Sequence, residues 1–247
     1  RFLAEGVDRE QVVLGKTPLL LMASRGASEA CAWLLDHGAA ADARTPEGHS
    51  ALHLALDIEH LRQGPATIDA LLDHGAAIDL PDNLGVRPLV KALGLRRGDR
   101  AAARLIAMGA DINAATHLGT TPLLAAATSG KKEFVVSLLT AGADPGAMTA
   151  DGRGFVYAVI EGDEPGMLQD VLPLIPRSAV NQPNRSGTTP IGLAAYHGSV
   201  PAITALLDAG ADPNTTSKNR FANGVTPLMM LALQDEKGDA VRKALEK

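Results

Sequence analysis

The stretch from Thr120 to Pro145 restricts the fold more than any other part of the chain. Thr121 is suited to cap a helix with its hydroxyl, and Pro122 stands at the first helical position, where no amide donor is needed. Small residues follow through Ala127, so this first helix can lie close against a neighbour. Gly130 ends it, and a second helix carries Val135, Val136, Leu138 and Leu139 before stopping at Gly142. A helix–turn–helix of this size has too little apolar surface to fold alone, so copies of it are required.

The copies are present. Aligning the Pro122 position gives Pro18, Ala51, Pro88, Pro122, Phe155, Pro190 and Pro227, spaced 33, 37, 34, 33, 35 and 37 residues apart. The end of the second helix recurs as Leu34-Leu35-Asp36-His37-Gly38-Ala39, Leu71-Leu72-Asp73-His74-Gly75-Ala76, Leu105-Ile106-Ala107-Met108-Gly109-Ala110-Asp111 and Leu206-Leu207-Asp208-Ala209-Gly210-Ala211-Asp212. A period near 33 with a Thr-Pro-Leu start and a Gly-Ala-Asp end resembles the ankyrin repeat. The resemblance implies an all-α solenoid of stacked helix–turn–helix units with β-hairpin or turn connections, and it covers essentially the whole chain.

On this basis residues 1–247 form a single ankyrin-repeat domain of seven repeats. Residues 1–11 read as the end of a repeat whose beginning is missing, so the chain is expected to start inside a longer protein or after a processed or disordered leader. Repeats then run over 12–44, 45–81, 82–115, 116–148, 149–183 and 184–220, and 221–247 form a C-terminal capping repeat with a polar outer face. Aromatic content of 3% against 46% hydrophobic residues suits thin, closely stacked helices. A net charge of −5 argues against nucleic acid as the ligand, since phosphate binding relies on clustered Lys and Arg. One cysteine excludes an intrachain disulfide framework and a Cys-based zinc site. No run of 18 apolar residues suggests a membrane span. Cysteine scarcity fits a bacterial periplasm and a cytoplasm equally, and Ala-, Gly- and Arg-rich repeats look bacterial.

Individual repeats carry their own signals. Cys31 takes a position that is usually apolar in the family, and a small buried core residue is the ordinary reading. His53 matches the family histidine, whose implied task is a hydrogen bond between neighbouring repeats. Four extra residues around Glu59 to Arg62 lengthen the link between the helices of the second repeat. Arg87, Arg96, Arg97, Arg100 and Arg104 crowd into the third repeat of an acidic protein. They are either a solvated, charge-balancing face or a docking patch for an acidic protein surface. The fifth repeat departs most: Gly152-Arg153-Gly154-Phe155-Val156-Tyr157 replaces the usual start, and no Gly-Ala-Asp ending follows. Pro173 and Pro176 must end its second helix early or kink it, with packing of Phe155 and Tyr157 as compensation. That repeat is either a drifted scaffold unit or a place shaped by a partner.

No catalytic or metal-binding motif emerges. The seven histidines make no i, i+4 pair around a Glu and no Cys or carboxylate cluster at metal spacing. No Gly-x-Ser-x-Gly elbow occurs, and no cofactor is implied. What the resemblance implies is a surface, since ankyrin proteins contact partners through hairpins and the exposed side of the first helix. The hairpin residues are Glu47, His49, Leu118 and Arg185. The first-helix residues are Asp57, Thr128, Ser129, Glu161, Tyr196, His197 and Leu233, with Tyr157 beside them. Tyr196 leads, because large amphipathic side chains dominate interface energetics. The expected function is to bind another protein, as a monomer when free, and to mask or inhibit it, a bacterial toxin or cell-wall enzyme being the partner that bacterial ankyrin inhibitors suggest. The alternative is a targeting or scaffold segment of a larger enzyme or secreted effector.

Overall fold

Four of the repeats open with the same local device. The hydroxyls of Thr17, Ser50, Thr121 and Thr189 accept the backbone N–H of the residue three positions on, and Pro18, Pro122 and Pro190 occupy the first helical position. The computed structural model describes residues 10, 12–13, 15–58, 64–164, 166–216, 224–227 and 229. Residues 1–9 of the expected repeat end at 1–11, the expected insertion around Glu59 to Arg62 and the expected capping segment beyond residue 229 lie outside the described residues.

The chain divides into two compact units, residues 1–117 and 118–247. The first holds three helix pairs: α1 (Pro18–Ser24) with α2 (Ser28–Asp36), α3 (Ala51–Asp57) with α4 (Gly64–Asp73), and α5 (Pro88–Gly94) with α6 (Asp99–Ala107). The second holds α7 (Pro122–Thr128) with α8 (Lys132–Thr140), α9 (Phe155–Gly162) with α10 (Met167–Val171), a 3-10 turn Leu172–Leu174, α11 (Arg177–Val180), and α12 (Pro190–Tyr196) with α13 (Val200–Asp208). Each helix packs on its own partner and on the corresponding helix of the next repeat within its unit. The core is thin and aliphatic, with Leu19, Leu52, Leu89, Leu123 and Leu138 all buried.

The connections between repeats are tight turns. Among the described residues no strand forms; only the isolated bridges Val13–Lys16 and Met148–Gly154 remain of the expected β-hairpins. Successive tips are tied by backbone hydrogen bonds. Asn83 N–H donates to Glu47 O at 3.1 Å and His117 N–H to Leu84 O at 3.0 Å in the first unit. In the second, Ala150 N–H donates to Leu118 O at 2.7 Å and Arg185 N–H to Asp151 O at 3.2 Å. This ladder needs glycine at Gly48, where φ is +85° and a Cβ would stand 2.7 Å from the Asn83 nitrogen.

His53 performs the bridging task expected of it. Its Nε2 lies 2.9 Å from the Val86 carbonyl of the next repeat, and its Nδ1 accepts from Ser50 N–H at 3.2 Å. Since a carbonyl can only accept, Nε2 carries the proton and the ring is neutral. Burial holds its pKa below the ordinary histidine value. Cys31 is fully buried, and burial pushes its thiol up to about 12.

The fifth repeat is built differently. Gly154 offers α9 no side-chain cap, but Phe155 and Tyr157 are 1% and 2% exposed. Burying two aromatic side chains contributes about 1.5–3 kcal/mol each, against the ~1 kcal/mol of a lost cap. Pro173 and Pro176 act as the sequence requires: α10 stops at Val171 after 5 residues, where the second helices of the other pairs run 9 or 10.

Candidate protein-binding surface

The tips and the last turns of the first helices receive most of the residues expected at the binding surface. Glu47 is exposed at its tip, and the Thr45 hydroxyl holds its carboxyl below the ordinary value. His49 sits half-buried beneath it, stacked on His53 with ring centroids 5.7 Å apart and 3.8 Å from Asp82. Leu118 stands 68% exposed at the tip of the fourth repeat, as does Leu84 at the same position of the third. Arg185 is exposed at a tip and held there through its backbone.

On the first helices one register position decides the chemistry. It is filled by Ser24, Asp57, Gly94, Thr128, Glu161 and Tyr196 in successive repeats. Asp57 is exposed but ion-paired to Lys91 at 2.6 Å. Thr128 turns its hydroxyl back onto the Leu124 carbonyl at 2.9 Å, and Ser129 beside it is exposed. Glu161 is bound by Arg153 at 2.8 Å, and Arg153 also holds Asp151 at 2.5 Å. Tyr196 is 65% exposed, with His197 meeting its ring edge-on at 5.6 Å.

One expectation changes. Tyr157 does not reach the surface: it occupies in α9 the register position of His53, is 2% exposed, and belongs to the core. Its phenol oxygen has no hydrogen-bond partner among the described residues. Burial raises its pKa well above the usual phenol value, offset only in part by the Asn184 amide, whose N–H donates to Thr188 O instead. The basic cluster of the third repeat is partly charge-balanced: Arg100, itself exposed, and Arg104 pair with Asp69 and Asp73 of α4, Arg87 is half-buried at the start of α5, and Arg96 and Arg97 stand exposed in the turn between α5 and α6. Leu233 lies outside the described residues.

The sequence reading did not single out a groove between α9–α10 and α12–α13, whose acidic edge includes Asp163 and Glu164. The signal for it is a residue exchange: Asp163 stands, with φ +48°, where Gly130 and Gly198 end the first helices of the neighbouring repeats. Among the described residues no group of three His, Cys, Asp or Glu side chains could hold a metal ion, and no helix is long and apolar enough to cross a membrane.

Comparison with known proteins agrees with this architecture. The family model for ankyrin repeats in three copies matches residues 1–82, and that for the single ankyrin repeat matches residues 118–150 and 186–218. Ankyrin repeat and SOCS box protein 6 of Homo sapiens is 36% identical over 150 residues, covering 58% of this chain and 35% of that protein. Rabankyrin-5 of Homo sapiens is 28% identical over 221 residues, covering 88% of this chain and 16% of that protein. The chain thus spans about a third of the length of the first relative and about a sixth of the second. The crystal structure of the human ASB11 ankyrin repeat domain superposes with a TM-score of 0.73 at 21% identity, over 93% of this chain and 98% of that one. With matched segments over more than half of its length and the fold in common, the chain belongs to the ankyrin-repeat family, whose repeats mediate protein–protein interaction.

Proposed function

We propose that this chain is a non-enzymatic binding module that presents its tips and first-helix ends to one partner protein and masks or inhibits it. Leu118 and Tyr196 carry the reading. Each stands about two-thirds exposed, at a position that other repeats fill with Glu47, Leu84, Asp151 and Ser186, or with Ser24, Asp57 and Thr128. The repeat fold therefore does not ask for a large apolar group at either place, and such groups anchor interfaces. In this reading residues 1–247 form one domain of seven repeats, monomeric when free, that uses neither nucleic acid nor a cofactor. A bacterial source, with a toxin or cell-wall enzyme as partner, would be a special case; the relatives named above are human proteins and lend it no support.

The partner surface comprises Glu47, His49, Leu118, Arg185, Ser129, Tyr196 and His197, with the exposed Arg96 and Arg97 beside the ion-paired Arg100 and Arg104. Asp57, Thr128 and Glu161 contribute less, being engaged with Lys91, Leu124 and Arg153. A second reading, a targeting or scaffold segment of a larger protein, is favoured by Rabankyrin-5, of which the chain covers 16%. The test is capture from source-cell lysate with wild-type protein and with a Leu118→Asp/Tyr196→Ala variant. A stoichiometric protein lost with the variant supports the surface, and an activity assay on that protein separates inhibition from recruitment. Equal capture by both refutes the surface.

A further inference from the structure

A cavity of about 560 Å³ opens at the α9–α10 turn, between α9–α10 and α12–α13. Its size falls within the ~300–1,000 Å³ of ordinary ligand pockets. Val159 and Leu168, core residues of the fifth repeat, form apolar lining, and Pro201 and Ala202 of α13 face the same space.

The edge is acidic. Glu161, Asp163 and Glu164 border the cavity, and Glu161 is already neutralised by Arg153. Asp163 and Glu164 have no ion pair among the described residues. Lys132, whose charge is felt by Glu164, is bound to Asp170. Asp163 keeps its left-handed backbone without being glycine, a conformation that costs free energy and concentrates at functional positions. His197 adds a flat ring on the α12 side.

We propose that this groove seats an arginine of the partner protein together with the apolar residue beside it, which deepens the protein-binding reading and rests on it. Charge complementarity selects the cation, and a planar guanidinium can serve two carboxylates and stack on a ring where an ammonium cannot. The apolar neighbour covers Val159 and Leu168. The fifth repeat is thereby a recognition unit and not a decayed one.

The peptide N-acetyl-Leu-Arg-Leu-amide tests this directly against its citrulline counterpart, which keeps the shape and loses the charge. Both are titrated into the 15N-labelled full chain. The expected result is saturable shifts at the Val159, Asp163, Leu168 and Ala202 amides, with the citrulline peptide about tenfold weaker. The Asp163→Asn/Glu164→Gln variant, isosteric and at an exposed edge, should weaken the arginine peptide by a similar factor. It should leave the citrulline peptide and the thermal unfolding midpoint unchanged. Equal affinity for the two peptides, shifts elsewhere in the chain, or no saturable shift would overturn the proposal. Such a failure leaves the tip-and-helix reading intact, because that reading stands or falls on partner capture by the Leu118/Tyr196 variant.

Discussion

Replacing His53 by leucine tests how the second and third repeats are held together. The ring is fully buried, bridges to Val86 O at 2.9 Å, and accepts from Ser50 through Nδ1. Leu124 fills the same register position of α7, also buried, so the site tolerates an aliphatic side chain of this shape. The His53→Leu variant should therefore fold, and packing should change little. What it loses is one buried inter-repeat hydrogen bond and the acceptor for Ser50, together about 1–3 kcal/mol at pH 7.5.

The pH dependence makes the test specific. Burial lowers the folded-state pKa of His53, with Lys91 and His49 acting the same way and the Val86 carbonyl and Asp82 opposing. Protonation would also turn Nδ1 into a donor facing the Ser50 N–H. The unfolded chain takes up a proton near pH 6.5 that the folded chain refuses. The contribution of His53 is therefore fully present above pH 6.5 and is lost as pH falls below it, by about 1.4 kcal/mol at pH 5.5 if the ring is still neutral there. Urea unfolding of both proteins, followed by circular dichroism at pH 7.5, 6.5 and 5.5, separates this from the other histidines, because only the difference between the two is used. The advantage of the wild type should shrink across that window. A difference that stays constant would refute the assignment of a neutral, bridging His53.

Three further perturbations probe the same architecture. Gly48→Ala places a Cβ 2.7 Å from the Asn83 nitrogen at φ +85°, and should cost about 2 kcal/mol or more in chemical unfolding; a loss under about 0.5 kcal/mol would mean the tip ladder does not hold the turn. Cys31, buried with its thiol near 12, should resist Ellman's reagent in the native protein and react fully in denaturant. Prompt native labelling would place that helix at the surface. Tyr157→Phe removes a buried hydroxyl without a partner and should be neutral or stabilising by about 1 kcal/mol. A clear destabilisation would show that the hydroxyl is bonded after all.

The fold was legible because its signals are local and repeated. A Thr-Pro pair starts a helix wherever it stands, and glycines at fixed offsets end it, so Thr121 and Gly142 could be read without knowing what packs on them. His53 was legible for the same reason, since its partner lies one period away. The binding surface was harder because exposure depends on what a neighbouring repeat covers. Leu118 and Tyr196 are exposed, as their tip and helix-end positions suggested. Tyr157 is not, since its position is the inward one that His53 and Leu124 also fill. Whether the charges of α6 were balanced was not legible locally, because their partners Asp69 and Asp73 lie in α4, 31 residues earlier in the chain.

The same comparison explains why the fifth repeat can carry recognition without breaking the stack. A repeat contacts only its neighbours, so a local defect costs one interface and is not passed along the chain. Phe155 and Tyr157 restore on the inner side of α9 what the missing cap and the short α10 remove. The outer end of the repeat is then released from packing duty. There, Asp163 and Glu164 stand where an ordinary repeat needs only a glycine turn, and the cavity at the α9–α10 turn beside them is open to a partner side chain.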